Sequence, residues 1–186
     1  MKDVNKGEYG YIEYRKKINT VKTLIGFGIV ALILFAGIII CGTKNNICTV
    51  IAILAVLPSA KSLVALLMVI RCKSPQKSDY DALKEHSVTS VLLSDCIMSC
   101  KDKTVYIEFA QITDSCIYCY TKDQRIGQDF FEKNIADFIK SCGDTVSVKL
   151  FYDFNQFSKR VKAVGNMEYK QNKIERIKND FLILVL

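Results

Sequence analysis

Residues 23–42, TLIGFGIVALILFAGIIICG, form an unbroken run without a charged side chain. About 20 such residues, coiled as a helix, match the hydrocarbon core of a bilayer. The four glycines in the run are better tolerated in lipid-embedded helices than in soluble ones. A secretory signal would carry a shorter apolar stretch of about 7–15 residues and a small-residue cleavage site. This run is longer, its end IIICG is a poor cleavage site, and the bulky Ile40 before Cys41 does not suit lipoprotein processing. Residues 23–42 therefore predict a membrane span.

A second run, ICTVIAILAVLPSAKSLVALLMVI, covers residues 47–70 and carries Pro58 and Lys61. A lysine near the middle of a span costs roughly 3 kcal/mol, and each Leu, Ile or Val returns roughly 0.3–0.6. Residues 50–70 hold twelve of these. Their sum of roughly 4–7 kcal/mol outweighs the lysine, although Pro58 narrows the margin by removing a backbone donor. The linker GTKNN, residues 42–46, carries turn chemistry, so the two runs predict an antiparallel helical hairpin.

Charge sets its direction. The amino-terminal flank holds Arg15, Lys16, Lys17 and Lys22, the far flank Arg71, Lys73 and Lys77, and the linker only Lys44. The positive-inside rule then places both termini in the cytoplasm of a multi-pass protein of the cell membrane. The net charge of +7 sits mostly in this region: residues 71–186 hold 18 bases against 16 acids. A nucleic-acid partner would need a basic face on the folded domain, so none is expected. The expected partners are the bilayer itself and a protein or second copy meeting the hairpin.

Lys61 and Pro58 form the intramembrane polar site. Pro58 cannot donate to the Leu54 carbonyl. Lys61, one turn on, has three open roles. It binds freed carbonyls or a polar group of the first helix, snorkels to the headgroups, or serves as a functional cation within a bundle. Neither span holds an Asp or Glu to pair with it. Gly26, Gly28, Ala31 and Gly37 offer small surfaces for helix packing. Cys41 and Cys48 flank the outer turn and are a candidate disulfide if that side is oxidising.

The chain divides into a basic segment (1–19), the hairpin (20–71), a linker (72–87) and a cytoplasmic α+β domain (88–186). In the linker, Ser74-Pro75 marks a break and Asp79 is placed to cap a short helix through Glu85. VTSVLLSDCIMSC reads as a strand. TVYIEFAQI alternates Val105, Ile107 and Phe109 against Tyr106, Glu108 and Ala110, a half-buried strand. CIYCYT is a third. Phe130, Phe131, Ile135, Phe138, Ile139 and Cys142 recur at helical spacing before Gly143. TVSVKLFYD is a fourth strand. A short helix presents Phe154, Phe157, Val161 and Val164, a polar helix follows, and FLILVL ends the chain as a strand or a docking tail. The expectation is a mixed sheet of about four strands with two to three helices.

Chemistry-bearing residues are few. Cys96 with Cys100, and Cys116 with Cys119, have zinc-like spacings. CIYC is strand-forming, though, and an offset of three points its thiols to opposite faces, so buried reduced thiols are expected and no metal or cofactor. His86 is the only histidine and lacks a nucleophile in any recognisable motif. Asp95 in the first strand and Glu108 in the second resemble the metal-binding pair of restriction-endonuclease-like nucleases. Ala110 stands where that family has its lysine, so a degenerate enzyme is the implication, and as plain strand residues both acids would face solvent.

Across its length the chain resembles an uncharacterised family of two-span membrane proteins from Gram-positive anaerobes, on KGEYGYIEYRKK, GTKNN and LPSAKSLVALLMVIR. Some members of that family carry a label resembling O-linked GlcNAc transferase, yet no glycosyltransferase motif or sugar-nucleotide domain stands here. The resemblance implies a membrane location. The function expected is an integral membrane protein presenting a small interaction or regulatory domain at the inner membrane face. The alternatives are a membrane-tethered degenerate metal-dependent nuclease and an accessory subunit of a larger membrane complex.

Overall fold

The computed structural model describes residues 4–41, 47–100, 103–165 and 167–186, apart from the side chains of residues 40 and 41. The chain forms two compact units, one of residues 12–73 and one joining residues 4–11 to residues 74–186.

The first unit contains most of α1 (Tyr11–Cys41) and all of α2 (Ile47–Ile70). Both are long and apolar enough to cross a membrane, and only 11% of each apolar window is buried. Leu24, Leu32, Phe35 and Ile39 on α1, and Ile47, Ile53, Leu54 and Leu57 on α2, are broadly exposed. Gly26 lies against Ser59, where an added Cβ would stand 2.6 Å from the serine Oγ. Small residues of this kind let two helix backbones approach closely. Gly28, by contrast, faces open space. A groove of about 380 Å³ runs beside this contact, between Lys22, Ile25 and Ile29 on α1 and Ala55, Pro58 and Ser62 on α2.

The second unit is the α+β body. Its sheet has the order β1 (Val91–Cys100), β2 (Lys103–Ile112), β3 (Cys116–Tyr120), β4 (Ser147–Phe151). The first three strands form an antiparallel meander, and β4 pairs parallel to β3. A parallel neighbour requires a crossover, which α4 (Gln128–Ser141) supplies. That helix buries Phe131, Ile135 and Ile139, spaced by one turn each. It stops at Gly143, whose φ of +105° suits a residue without a side chain. The Asp144 amide returns to the Ile139 carbonyl at 3.3 Å, a six-to-one closing bond.

Both faces of the sheet are covered. α4 and α6 (Gln171–Ile183) pack on one, burying Ile174, Ile177 and Phe181 against Met98, Val105, Ile107 and Leu150. α3 (Lys77–Glu85) and α5 (Phe154–Val164) cover the other through Leu83, Phe157, Val161 and Val164. Phe109 stacks at 6.4 Å on both Phe157 and Tyr120 in that second core. Each buried ring contributes about 1.5–3 kcal/mol, so the layers hold by area rather than by any single bond. Asp153 caps α5 by accepting from the Asn155 amide at 2.9 Å.

Several boundaries differ from expectation. Residues 74–87 are part of the body, because Leu83 and Tyr80 of α3 pack in its aromatic core. That helix starts at Lys77 after the N-cap Gln76, and Asp79 lies in its first turn, where its charge complements the helix dipole. Residues 4–11, part of the expected basic segment, belong to the same unit as the body. The polar helix is amphipathic and runs through Phe181, so FLILVL splits: its start ends α6, and Val185 bridges Met98. The linker 42–46 lies outside the described residues.

The outer rim of the sheet is occupied. On β1 the Ser94 amide donates to the Gly7 carbonyl at 2.9 Å, and the Leu186 amide to the Ile97 carbonyl at 2.8 Å. On β4 the Leu150 amide donates to the Glu132 carboxylate of α4, also at 2.8 Å.

Candidate functional site

Asp95 and Glu108 meet at an irregularity in the β1–β2 ladder. Pairing steps from Ser94 opposite Phe109 to Cys96 opposite Ile107, so Asp95 and Glu108 occupy the interrupted position between them. Asp95 has a φ of +58°, the one left-handed non-glycine residue among those described. Aspartate is among the few side chains that tolerate this region. The turn shifts the in-out alternation of both strands by one residue. Leu93 precedes it and Cys96, Met98 and Cys100 follow it in the α4/α6 core. On β2, Val105 and Ile107 share that core with Ala110 and Ile112, while Phe109 goes to the opposite face. The expected grouping of Phe109 with Ile107 fails here, because one left-handed residue resets a period of two.

Both acids are buried, Asp95 fully and Glu108 to 6% exposure, which overturns the solvent-facing expectation. Asp95 is satisfied by donors brought from far along the chain. Its Oδ2 accepts from the Gly10 amide at 2.6 Å and the Ser74 hydroxyl at 2.9 Å, and its Oδ1 from the Tyr106 hydroxyl at 2.9 Å. Hydrogen bonds to a charged group are worth about 1.5–3 kcal/mol each. Together they exceed the roughly 1–2 kcal/mol cost of the left-handed backbone.

Glu108 is less well provided for. Its Oε1 lies 3.4 Å from the Lys122 ammonium, which is 71% exposed, and its Oε2 is buried without a hydrogen-bond partner. Burial pushes its carboxyl above the usual range, the neighbouring Lys122 pulls it back down, and the charges of Asp95 and Asp79 add to the rise. Tyr120 is raised in turn to about 12, first by burial and then by the charges of Glu108, Asp153 and Asp79. The arrangement suits a carboxyl that keeps its proton beyond the ordinary range, beside a carboxylate that organises the chain.

The nuclease-like comparison needs a lysine beside the acids. Ala110 packs in the α4/α6 core, on the face away from Tyr120, so the shifted alternation turns that position away from Glu108. Lys122, just beyond β3, takes the place beside Glu108 instead. Among the described residues no group of three His, Cys, Asp or Glu side chains is placed to hold a metal ion.

The segment before α1 was not anticipated as part of the site. Besides the Gly7 and Gly10 contacts, Lys6 donates to the Val185 carbonyl at 2.6 Å and Tyr9 to the Pro75 carbonyl at 3.1 Å. Tyr9 stacks on Tyr80 at 5.0 Å. Gly7 and Gly10 have φ of +82° and +85°. Those two glycines, with the tyrosines between and after them, are the signal in KGEYGY that marked a folded strap rather than a tail.

The remaining candidates are dispersed. Lys61 is exposed on α2 and makes no hydrogen bond or ion pair among the described residues, and Pro58 is exposed one turn before it. The pairing expected for Cys41 and Cys48 involves a side chain outside the described residues. Cys96 and Cys119 are fully buried in the α4/α6 core and Cys116 lies on the other face, so the 116/119 offset does separate the thiols. Burial pushes Cys96, Cys100, Cys116 and Cys119 upward, which keeps them as inert thiols. His86 is the half-buried C-cap of α3. Comparison with family models, with curated proteins and with solved structures gives no match for this chain.

Proposed function

We propose that this is an integral membrane protein whose hairpin holds the α+β body at the inner membrane face, where the body serves as an interaction or regulatory module. The observation that carries the reading is the apolar surface of α1 and α2, of which only 11% per window is buried. Each 100 Å² of apolar surface left in water forgoes about 2.5 kcal/mol, and contiguous apolar surface on this scale belongs against lipid or another protein. The bases flanking both helices support cytoplasmic termini. An Asp95 already engaged by its own chain supports interaction rather than metal-dependent cleavage.

Labelling of intact cells with a membrane-impermeant maleimide tests the topology. A cysteine introduced at Lys44 reacts from outside, and the exposed Cys142 reacts only after lysis. Labelling of Cys142 in sealed cells, or recovery of the full chain in the high-speed supernatant, overturns the reading. The exposed Lys61 also favours assembly with a second membrane chain that supplies an acid. Crosslinking from residue 61 to another span supports that assembly, and crosslinking to lipid alone refutes it.

A further inference from the structure

The two chain segments that lead into and out of residues 12–73 end on one carboxylate. Gly10 stands just before the two-helix unit and Ser74 just after it, and both donate to Oδ2 of Asp95, at 2.6 and 2.9 Å. The same aspartate carries the left-handed turn that interrupts β1–β2 pairing, with the Ser94 amide next to it held by the Gly7 carbonyl. The strap is tight at that point: a Cβ on Gly7 would stand 3.0 Å from Leu93 and 3.1 Å from Leu182. We propose that Asp95 is a latch: it locks the entry and exit segments of the hairpin to the edge of the sheet. Displacement of either helix end opens the strap of residues 4–11 and uncovers the β1 rim.

The physical logic is local. A carboxylate in a buried position shares two donors that the covalent chain ties to different helices. Pulling one donor away removes a charged hydrogen bond and leaves the left-handed backbone of Asp95 with less to offset its cost. Beyond Asp95, the strap is held by the Gly7–Ser94 bond, by the Lys6, Tyr9 and Tyr11 bonds to backbone carbonyls, and by the Tyr9–Tyr80 stack. Elements with few buried contacts open first in a folded protein. Uncovering the rim exposes the Ser94 amide and the apolar Leu93 and Leu182. This inference rests on the reading of α1 and α2 as membrane spans, because the force it transmits originates there.

Hydrogen–deuterium exchange on the full-length protein in vesicles tests it, with wild type, Ser74→Ala, Asp95→Asn and Asp95→Gly compared. Loss of one charged hydrogen bond predicts exchange about 10–100-fold faster in residues 4–11 and 91–97 together, with residues 147–151 unchanged. Asp95→Gly, which keeps the left-handed turn at no steric cost, releases the strap while retaining β1–β2 protection. Wild-type exchange in the strap also changes between vesicles of short-chain and long-chain lipid, and the Asp95→Gly protein shows no such response. Unchanged protection in Ser74→Ala and Asp95→Asn overturns the latch, as does loss of protection that spreads equally to residues 147–151. A chain that fails to enter vesicles refutes the membrane reading instead, and the variant series in detergent still judges the latch on its own.

Discussion

Replacing Glu108 by Gln isolates the one buried acid whose surroundings do not satisfy it. In the folded protein its side chain is 8% exposed, and Oε2 has no partner. An unsatisfied buried polar atom costs about 1–3 kcal/mol. The pair with an ammonium as exposed as Lys122 returns at most about 1 kcal/mol. The neutral amide keeps a polar atom at that position but removes a charge that burial disfavours, so it should stabilise the α+β body by about 1 kcal/mol at neutral pH, which corresponds to a Tm increase of about 4 °C for a unit of this size. The sign of the pH dependence follows from burial. Folding raises the carboxyl above its ordinary value of 4.5, so the folded state holds the proton longer than the unfolded chain. Stability is then lost as pH climbs from 4.5 through the raised value, and is level above it. The substitution removes that slope. Thermal unfolding of the full chain in detergent, followed by near-UV circular dichroism between pH 4 and 8, should show the two proteins converging at acid pH and separating above. A variant less stable than wild type at pH 8, or a gap that does not depend on pH, would refute the argument, because either result means that the carboxylate is well satisfied when ionised.

Three further outcomes follow from packing and insertion. Gly165→Ala drives a methyl group into the His86 carbonyl oxygen. Since overpacking typically costs about 1–3 kcal/mol, the same melt should fall by at least the upper end of that range, and an unchanged Tm refutes the contact. Gly26→Ala crowds Ser59, and spin labels on the exposed Leu24 and Leu57 should report a widened distance distribution that narrows again when Ser59→Gly is added. Lys61→Leu should favour insertion of α2 by about 3 kcal/mol, read as a higher inserted fraction in microsomes, and equal insertion would show that the ammonium already reaches the headgroups at no cost.

The architecture was legible where physical periods are simple. Twenty uncharged residues, an alternating meander and a helix closed by Gly143 each encode their element locally. The irregularity at Asp95 was not, because SD in LLSDCIM interrupts the apolar pattern where the phase changes and so hides the shift. The trace on β2 is faint: apolar residues fall at 105, 107, 109, 110 and 112, and the adjacent pair at 109 and 110 is where the alternation changes phase. The strap was missed for a different reason. Its bonds join residues more than 60 positions apart, such as Gly10 with Asp95 and Lys6 with Val185, and no local pattern reports such distances. Burial of Glu108 was equally hidden, since it depends on α3 and α5 closing over the same face of the sheet.

Glu132 at the β4 rim has a consequence for how this body meets anything else. By occupying the Leu150 amide from the neighbouring helix, it plugs a position where a foreign strand would begin to zip. With the opposite margin engaged by Gly7 at Ser94 and by Leu186 at Ile97, crowding many copies together should not seed cross-chain ribbons, and recognition at rest is left to side chains on the helical layers.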